Sequence, residues 1–307
     1  MTERHATPFP QSLPAAGQVV LIRVFVNGLG GGNPVPLVAD AKGMDTAQMQ
    51  EIARTHGHES GFVLPADVPG ADWRLRFFVP HHEMEMCGHA TVGTLWALRR
   101  WGAWRTPTAR VQTMSGLVDV EWDEVRQRVW ISQPVVREGV LEPGAAALVA
   151  RTLRLGAVTT PRQMVNAATS RVKTLVPLSS VATLQSLEPD FAAVESTCDA
   201  IGSTGLYPYA LQTDGHAAGP IVFARQFPRK SGYPEDAATG IAAAALWGHL
   251  AAAGAIATGS ASAPVVCTVR QGDAMGYPSA IAVRPRFDAS DAVAGCWLSG
   301  EVVEGTT

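Results

Sequence analysis

The sequence predicts an α+β protein built from two similar halves, and three observations carry that expectation. Met86-Cys87-Gly88-His89-Ala90-Thr91 and Glu235-Asp236-Ala237-Ala238-Thr239-Gly240 stand roughly half a chain apart, each at the start of a helical pattern. An Arg and an aromatic-Pro pair precede each of them, as Arg76-Phe77-Phe78-Val79-Pro80 and Arg225-Gln226-Phe227-Pro228. The small-residue-rich helical runs that follow, 90–101 and 239–253, stop at Gly102 and Gly254, and strands then begin at 110–116 and 266–272. A duplicated strand-loop-helix-strand unit explains all three. With 307 residues the chain is long enough for two domains that each bury a core.

In chain order, residues 1–17 are polar and carry Pro8, Pro10 and Pro14, which suits a loose N-terminal arm. The β-branched run 19–26 reads as the first strand, ended by Asn27-Gly28-Leu29-Gly30-Gly31-Gly32. These glycines do not make a nucleotide loop, because no Lys-Ser/Thr ending follows and Pro34-Val35-Pro36-Leu37-Val38 continues as strand. Asp45 as N-cap with Gln48 three residues on, and Met49, Ile52 and Ala53 on one face, predict a short amphipathic helix over 45–55 that ends at Gly57. Glu59 comes next, ahead of a strand containing Phe62-Val63-Leu64. The first half gives way around 134–140, and Glu142-Pro143-Gly144 opens a new helical run. Strands near 171–177 and 207–212 flank a helix near 188–196, and 297–303 reads as a last strand.

Composition narrows the function. The 24 basic and 27 acidic residues leave a net charge of −3, without the footprint of a nucleic-acid binder or of a protein drawn to an anionic membrane, so a small molecule is the expected partner. Four separated cysteines, and an N-terminus lacking a basic start followed by an apolar stretch, predict reduced thiols and a cytoplasmic protein. The most apolar run, 241–256, is interrupted by Gly248, His249 and Gly254 and reads as a buried central helix.

The repeated motif has a chemical rationale. The first N–H groups of a helix lack acceptors within it, and the macrodipole adds roughly half a positive charge there, so a carboxylate is held without a cationic side chain. Small residues at both entrances would let a ligand approach the backbone.

Three segments resemble the signatures of the PhzF family, named for the phenazine-biosynthesis isomerase: His58-Glu59-Ser60-Gly61-Phe62-Val63-Leu64-Pro65, Met86-Cys87-Gly88-His89-Ala90-Thr91 and Tyr233-Pro234-Glu235-Asp236-Ala237-Ala238-Thr239-Gly240. Gly31-Gly32-Asn33-Pro34 is similar to the family's N-terminal segment, and 271–279 to its late strand segment. The resemblance implies two pseudo-symmetric diaminopimelate epimerase-like domains, each a mostly antiparallel sheet around a central helix, with an active site in the cleft between them, no cofactor and no metal. It assigns 18–133 plus about 289–307 to the first domain and 134–288 to the second. The catalytic positions fall on Glu59, His89 and Asp236, and the substrate-binding ones on Asn33, Ser60, Gly88, Ala90, Thr91, Ala238, Thr239, Gly240 and Ile241. The chain departs from the family pattern at Ala237, Ile241 and Tyr277, where Pro, Ser and Arg are usual, and the Ile241 and Tyr277 departures make the expected cleft more apolar. The family often forms homodimers.

The chemistry follows. A Glu59 buried beside an anionic substrate would rise toward the working range of a general base, while Asp236 at a helix entrance would stay charged, giving a proton shuttle and an orienting group. His89 would bond a carboxylate, with Asp236 the nearest candidate. Cys87 is a candidate second base by analogy with related epimerases, but the second entrance carries Asp236-Ala237 where a second thiol would stand, so Cys87 is expected to pack. The crowd of His81, His82, Glu83, Glu85, Cys87 and His89 matches no zinc spacing. The expected function is a cofactor-independent isomerase moving a proton between carbons of a small carboxylate. The alternatives are an amino-acid racemase or epimerase of the same fold and a non-catalytic metabolite-binding protein.

Overall fold

The computed structural model describes residues 11–156, 163–212 and 219–305, and the chain in it divides into two units. The first comprises Met1–Val26, Asn33–Ile131 and Gly300–Thr307; the second comprises Asn27–Gly32 and Ser132–Ser299. The expected N-terminal arm lies outside the described residues up to position 10, and 11–17 form bends and a turn with Pro14 buried.

Each unit repeats one topological phrase. In the first, Trp73–Val79 and Thr108–Thr113 pair in parallel on either side of the helix Gly88–Arg100, and Thr108–Thr113 then turns back antiparallel into Gly116–Asp123. In the second, Ile221–Ala224 and Cys267–Gln271 pair in parallel on either side of the helix Gly240–Ala252, and Cys267–Gln271 turns back into Ser279–Phe287. A parallel pair needs a crossover longer than a hairpin, and the helix supplies it. Upstream, Asn33–Val38 runs parallel to Ser60–Pro65 across the helix Thr46–His56, as Val172–Pro177 runs parallel to Gly205–Gln212 across the helices Val181–Gln185 and Phe191–Ala200. Most remaining pairings are antiparallel.

The helices are α1 (Thr46–His56), α2 (Gly88–Arg100), α3 (Pro143–Thr152), α4 (Val181–Gln185), α5 (Phe191–Ala200) and α6 (Gly240–Ala252). α1 has the expected capping box, with Gln48 N donating to Asp45 Oδ1 at 2.8 Å and Asp45 N to Gln48 Oε1 at 2.9 Å, and it closes on Gly57 at φ 67°. α2 and α6 are the two central helices: all of Gly88 to Leu95 and of Gly240 to Trp247 are buried. Such burial on every face requires small residues. A Cβ on Gly93 would meet Ile22 Cδ1 and Val24 Cγ2 at 2.6 Å, so this glycine sets how closely α2 lies on the first strand. Both helices end as expected, with Gly102 at φ 72° and Gly254 at φ 64°. None of the described helices is long and apolar enough to cross a membrane.

The structure corrects several sequence expectations. The first strand is Val19–Val24 and stops short of Val26 because Phe25 turns to φ 65°. The strand expected over 110–116 is two, Thr108–Thr113 and the one beginning at Gly116, joined by a tight turn. The helix expected at 188–196 is Phe191–Ala200, since Pro189 keeps its predecessor from helical dihedrals; α4, capped by Ser180, was not anticipated. Residues 289–299 stay with the second unit, where Val293–Ser299 pairs with Ser279–Phe287, and Val302–Glu304 pairs with Val19–Val24 in the first. The glycine cluster Asn27–Gly32 also belongs to the second unit: Asn27 N and Gly32 N both donate to Pro278 O, and a Cβ on Gly31 would lie 2.0 Å from that oxygen. Close backbone approach explains those glycines.

Candidate active site

Two groups of side chains, one in each unit, sit at the entrances of α2 and α6. In the first unit α1 ends at Gly57, and two residues later Glu59 precedes the strand Ser60–Pro65. The start of this strand lies on the first turns of α2: a Cβ on Gly61 would be 3.1 Å from Thr94 Oγ1 and 3.8 Å from Ala90 Cβ. That contact carries Glu59 to the helix entrance, where Cys87 is the N-cap and His89 the second helical residue. Glu59 Oε2 lies 3.1 Å from His89 Nε2. The Cys87 thiol donates to Glu59 Oε2 at 3.5 Å and lies 3.4 Å from His89 Nδ1. Glu59 is 9% exposed, and His89 and Cys87 2% each.

This arrangement connects three titratable groups. With the His89 proton on Nε2, the imidazole donates to the Glu59 carboxylate and Nδ1 is left as an acceptor facing the thiol. The N-cap side chain makes no capping bond, so the N–H groups of Gly88 and Ala90 have no side-chain cap from Cys87 and no acceptor within the helix. Thr91 turns inward and donates its hydroxyl to Cys87 O at 2.7 Å, which ties the motif's last residue to its cap. Within the first unit the carboxylate that His89 meets is Glu59, because both reach the same helix entrance from neighbouring elements. Cys87 does more than pack, since its sulfur touches both other members of the group.

In the second unit Asp236 precedes α6 rather than lying in its first turn; the N-cap is Thr239. Asp236 is held by a backbone bridge to Gln226, its N–H donating to Gln226 O at 3.0 Å. Thr239 Oγ1 donates to Asp236 Oδ2 through a very short hydrogen bond. Gln271 organises the rest: its Nε2 donates to Asp236 O at 2.6 Å and to Thr239 Oγ1 at 3.1 Å, while its Oε1 accepts from Thr239 N at 3.2 Å and from Tyr207 Oη at 3.0 Å. Burial first, then the charge of Asp236, pushes the Tyr207 phenol well above its ordinary range and keeps it a donor. Glu235, next to Asp236, is occupied otherwise, in a bidentate pair with Arg225 at 2.7 and 2.8 Å. Arg225 also donates to Leu187 O at 2.7 Å and Leu184 O at 3.2 Å.

Of the remaining expected site residues, Ser60, Ala90, Thr91, Ala238, Gly240 and Ile241 are buried close in sequence to these groups, and Asn33, 8% exposed, begins the second strand. Tyr277 is 47% exposed and follows a short 3₁₀ turn. Gln271 and Tyr207 were missed. Gln271 ends a strand whose inward positions are Cys267, Val269 and Gln271, so an amide in an apolar alternation was the signal. The other thiols take no part: burial pushes Cys198 up to about 11 and Cys267 and Cys296 up to about 12.

Known proteins share this architecture. A hydroxyproline epimerase from Agrobacterium vitis, solved with trans-4-hydroxy-L-proline, has the same fold with a TM-score of 0.59 at 12% identity, over 94% of this chain and 91% of that one. A Deinococcus radiodurans protein described as an uncharacterized isomerase is 30% identical over 272 residues, which are 85% of this chain and 84% of the relative. Fold and relatives together define an isomerase of the diaminopimelate epimerase-like class. The chain belongs to the PhzC-PhzF family of phenazine biosynthesis-like proteins, whose family model matches residues 22–303. A PhzF-family protein from Bacillus anthracis aligns with a TM-score of 0.77 at 24% identity, over 93% of this chain and 96% of that one.

Proposed function

We propose that the protein is a cofactor-independent isomerase that moves a proton between carbons of a small carboxylate-bearing metabolite, with Glu59 as the general acid and base. The observation that carries this reading is the 3.1 Å contact between Glu59 and His89 at the α2 entrance, which no side chain caps. A carboxylate of this kind takes a proton from one carbon and returns it to another, and the imidazole fixes which oxygen faces the substrate. The enolate-like charge that develops in between is stabilised by the helix N-terminus, whose N–H groups are already in place before the reaction. Asp236, which accepts a hydrogen bond from the Thr239 hydroxyl, is the orienting group of this reading.

Deuterium exchange tests the reading. Incubation in deuterium oxide with dihydro-hydroxyanthranilate-type and amino-acid substrates is expected to place label at carbon in at least one compound. No carbon exchange across a broad panel would sink it. A second reading, an epimerase in which Glu59 or Cys87 removes the α-proton from one face and a proton is returned to the opposite face, is favoured by the thiol's 3.5 Å approach to the carboxylate. Chiral chromatography separates the two: an epimerase inverts the α-carbon and loses its activity in Cys87→Ala, whereas the isomerase yields a positional isomer and keeps turning over.

A further inference from the structure

Glu59, Cys87 and His89 bring three ligand atoms of three chemical kinds within 4.8 Å of one another. Their separations are 3.5 Å from Cys87 Sγ to Glu59 Oε2, 3.9 Å from Cys87 Sγ to His89 Nε2 and 3.1 Å from His89 Nε2 to Glu59 Oε2. A tetrahedral zinc ion with ordinary bond lengths to sulfur, nitrogen and oxygen spaces its ligand atoms about 3.6 Å, about 3.6 Å and about 3.4 Å apart in the same order. Each edge therefore agrees to within a few tenths of an ångström. The three donors come from two separate elements, the α1-to-strand connection and the α2 entrance, and the packing of Gly61 on α2 already holds them together.

From this geometry we propose that the three side chains form a binding site for a thiophilic divalent cation of the Zn²⁺ type, with one coordination position left over, and that the cation acts as an inhibitor. A thiolate and an imidazole select Zn²⁺ over Mg²⁺ or Ca²⁺, which prefer an all-oxygen shell. The exchange balances: Zn²⁺ enters, the Cys87 thiol releases its proton to solvent, the His89 proton passes from Nε2 to Nδ1 so that the neutral imidazole binds through Nε2, and Glu59 binds as the carboxylate. Inhibition rests on the proton-carrier reading of Glu59, because a coordinated carboxylate cannot accept a substrate proton. The histidines that stand out in sequence, His81 and His82, are exposed and not in this group.

The reduced full-length protein is titrated with Co²⁺ and followed by absorption, then back-titrated with Zn²⁺, with deuterium exchange recorded in parallel. One equivalent of Co²⁺ is expected, with an intense near-ultraviolet thiolate-to-cobalt band that Zn²⁺ abolishes. That band is expected to vanish in Cys87→Ser and Cys87→Ala, checked as folded by circular dichroism, and to persist in the His81→Ala/His82→Ala double variant. Glu59→Gln and His89→Gln are each expected to weaken binding by at least about tenfold, the scale seen when even a group supporting a ligand is lost. No thiolate band, a band that survives in Cys87→Ala, or binding lost with His81 and His82 would overturn the site. Stoichiometric binding through Cys87 that leaves exchange undiminished would support the metal site and overturn the role of Glu59.

Discussion

The entrances of α2 and α6 are two copies of one backbone device fitted with opposite chemistry. At α2 the side chains are an acid, a thiol and an imidazole in mutual contact, so a proton has several places to reside. At α6 a single carboxylate, Asp236, is approached by a donor chain that runs from Tyr207 through Gln271 and Thr239, none of which titrates near neutral pH. Under the proposed function the first entrance moves a proton and the second holds a charge in place, so that one repeated scaffold carries two divided roles.

The largest expected effect of breaking this contrast lies in the second unit's support. Arg225 and Glu235 are 6% and 8% exposed and pair bidentately, so Arg225→Ala strands a buried carboxylate and three backbone carbonyls. A loss of about 3 to 5 kcal/mol in denaturant unfolding is expected. An unchanged midpoint would mean that Glu235 finds water or a new partner. Next come His89→Ala and Asp236→Ala, one at each entrance. Each is expected to weaken substrate binding and to slow turnover together, by about a hundredfold in kcat/KM, as misplacing a substrate does; a loss confined to kcat would show that the residue takes part in proton transfer alone.

Gln271→Leu removes the amide that joins Tyr207, Thr239 and Asp236 while keeping the volume close, and a cost of about 1 to 3 kcal/mol follows from the donors and acceptors left unpaired. The smallest effect is a pH dependence. Because the Tyr207 pKa is raised in the folded protein, its contribution is fully present below the unfolded tyrosine's pKa of about 10 and is lost as the pH rises above that value. Tyr207→Phe is expected to flatten that alkaline decline in thermal stability, and an unaltered slope would argue against a protonated, buried phenol.

Much of this was legible in the sequence where the signal was local. The Asp45–Gln48 box and the glycine stops at Gly57, Gly102 and Gly254 predicted the helix ends because caps are decided within a few residues. Glu59, His89 and Asp236 could be singled out through the family resemblance. Their partners could not be, since the approach of Glu59 to His89 depends on a strand seated against α2 and is set by tertiary packing around Gly61 and Gly93. The assignment of the glycine cluster was hidden for a similar reason: the contact with Pro278 spans most of the chain. Arg225 and Glu235 were both visible in the repeated motifs, yet nothing local says that they meet.

The central claim is that the proton resides on Glu59 during turnover, and Glu59→Gln tests it most directly, because the amide keeps the size of the side chain and removes the base. On the true substrate in deuterium oxide, the substitution is expected to slow carbon exchange by about two to four orders of magnitude. Ligand binding and the thermal midpoint are expected to stay close to those of the unaltered protein. Exchange at most of the original rate would contradict the account and return the proton to another member of the α2 entrance.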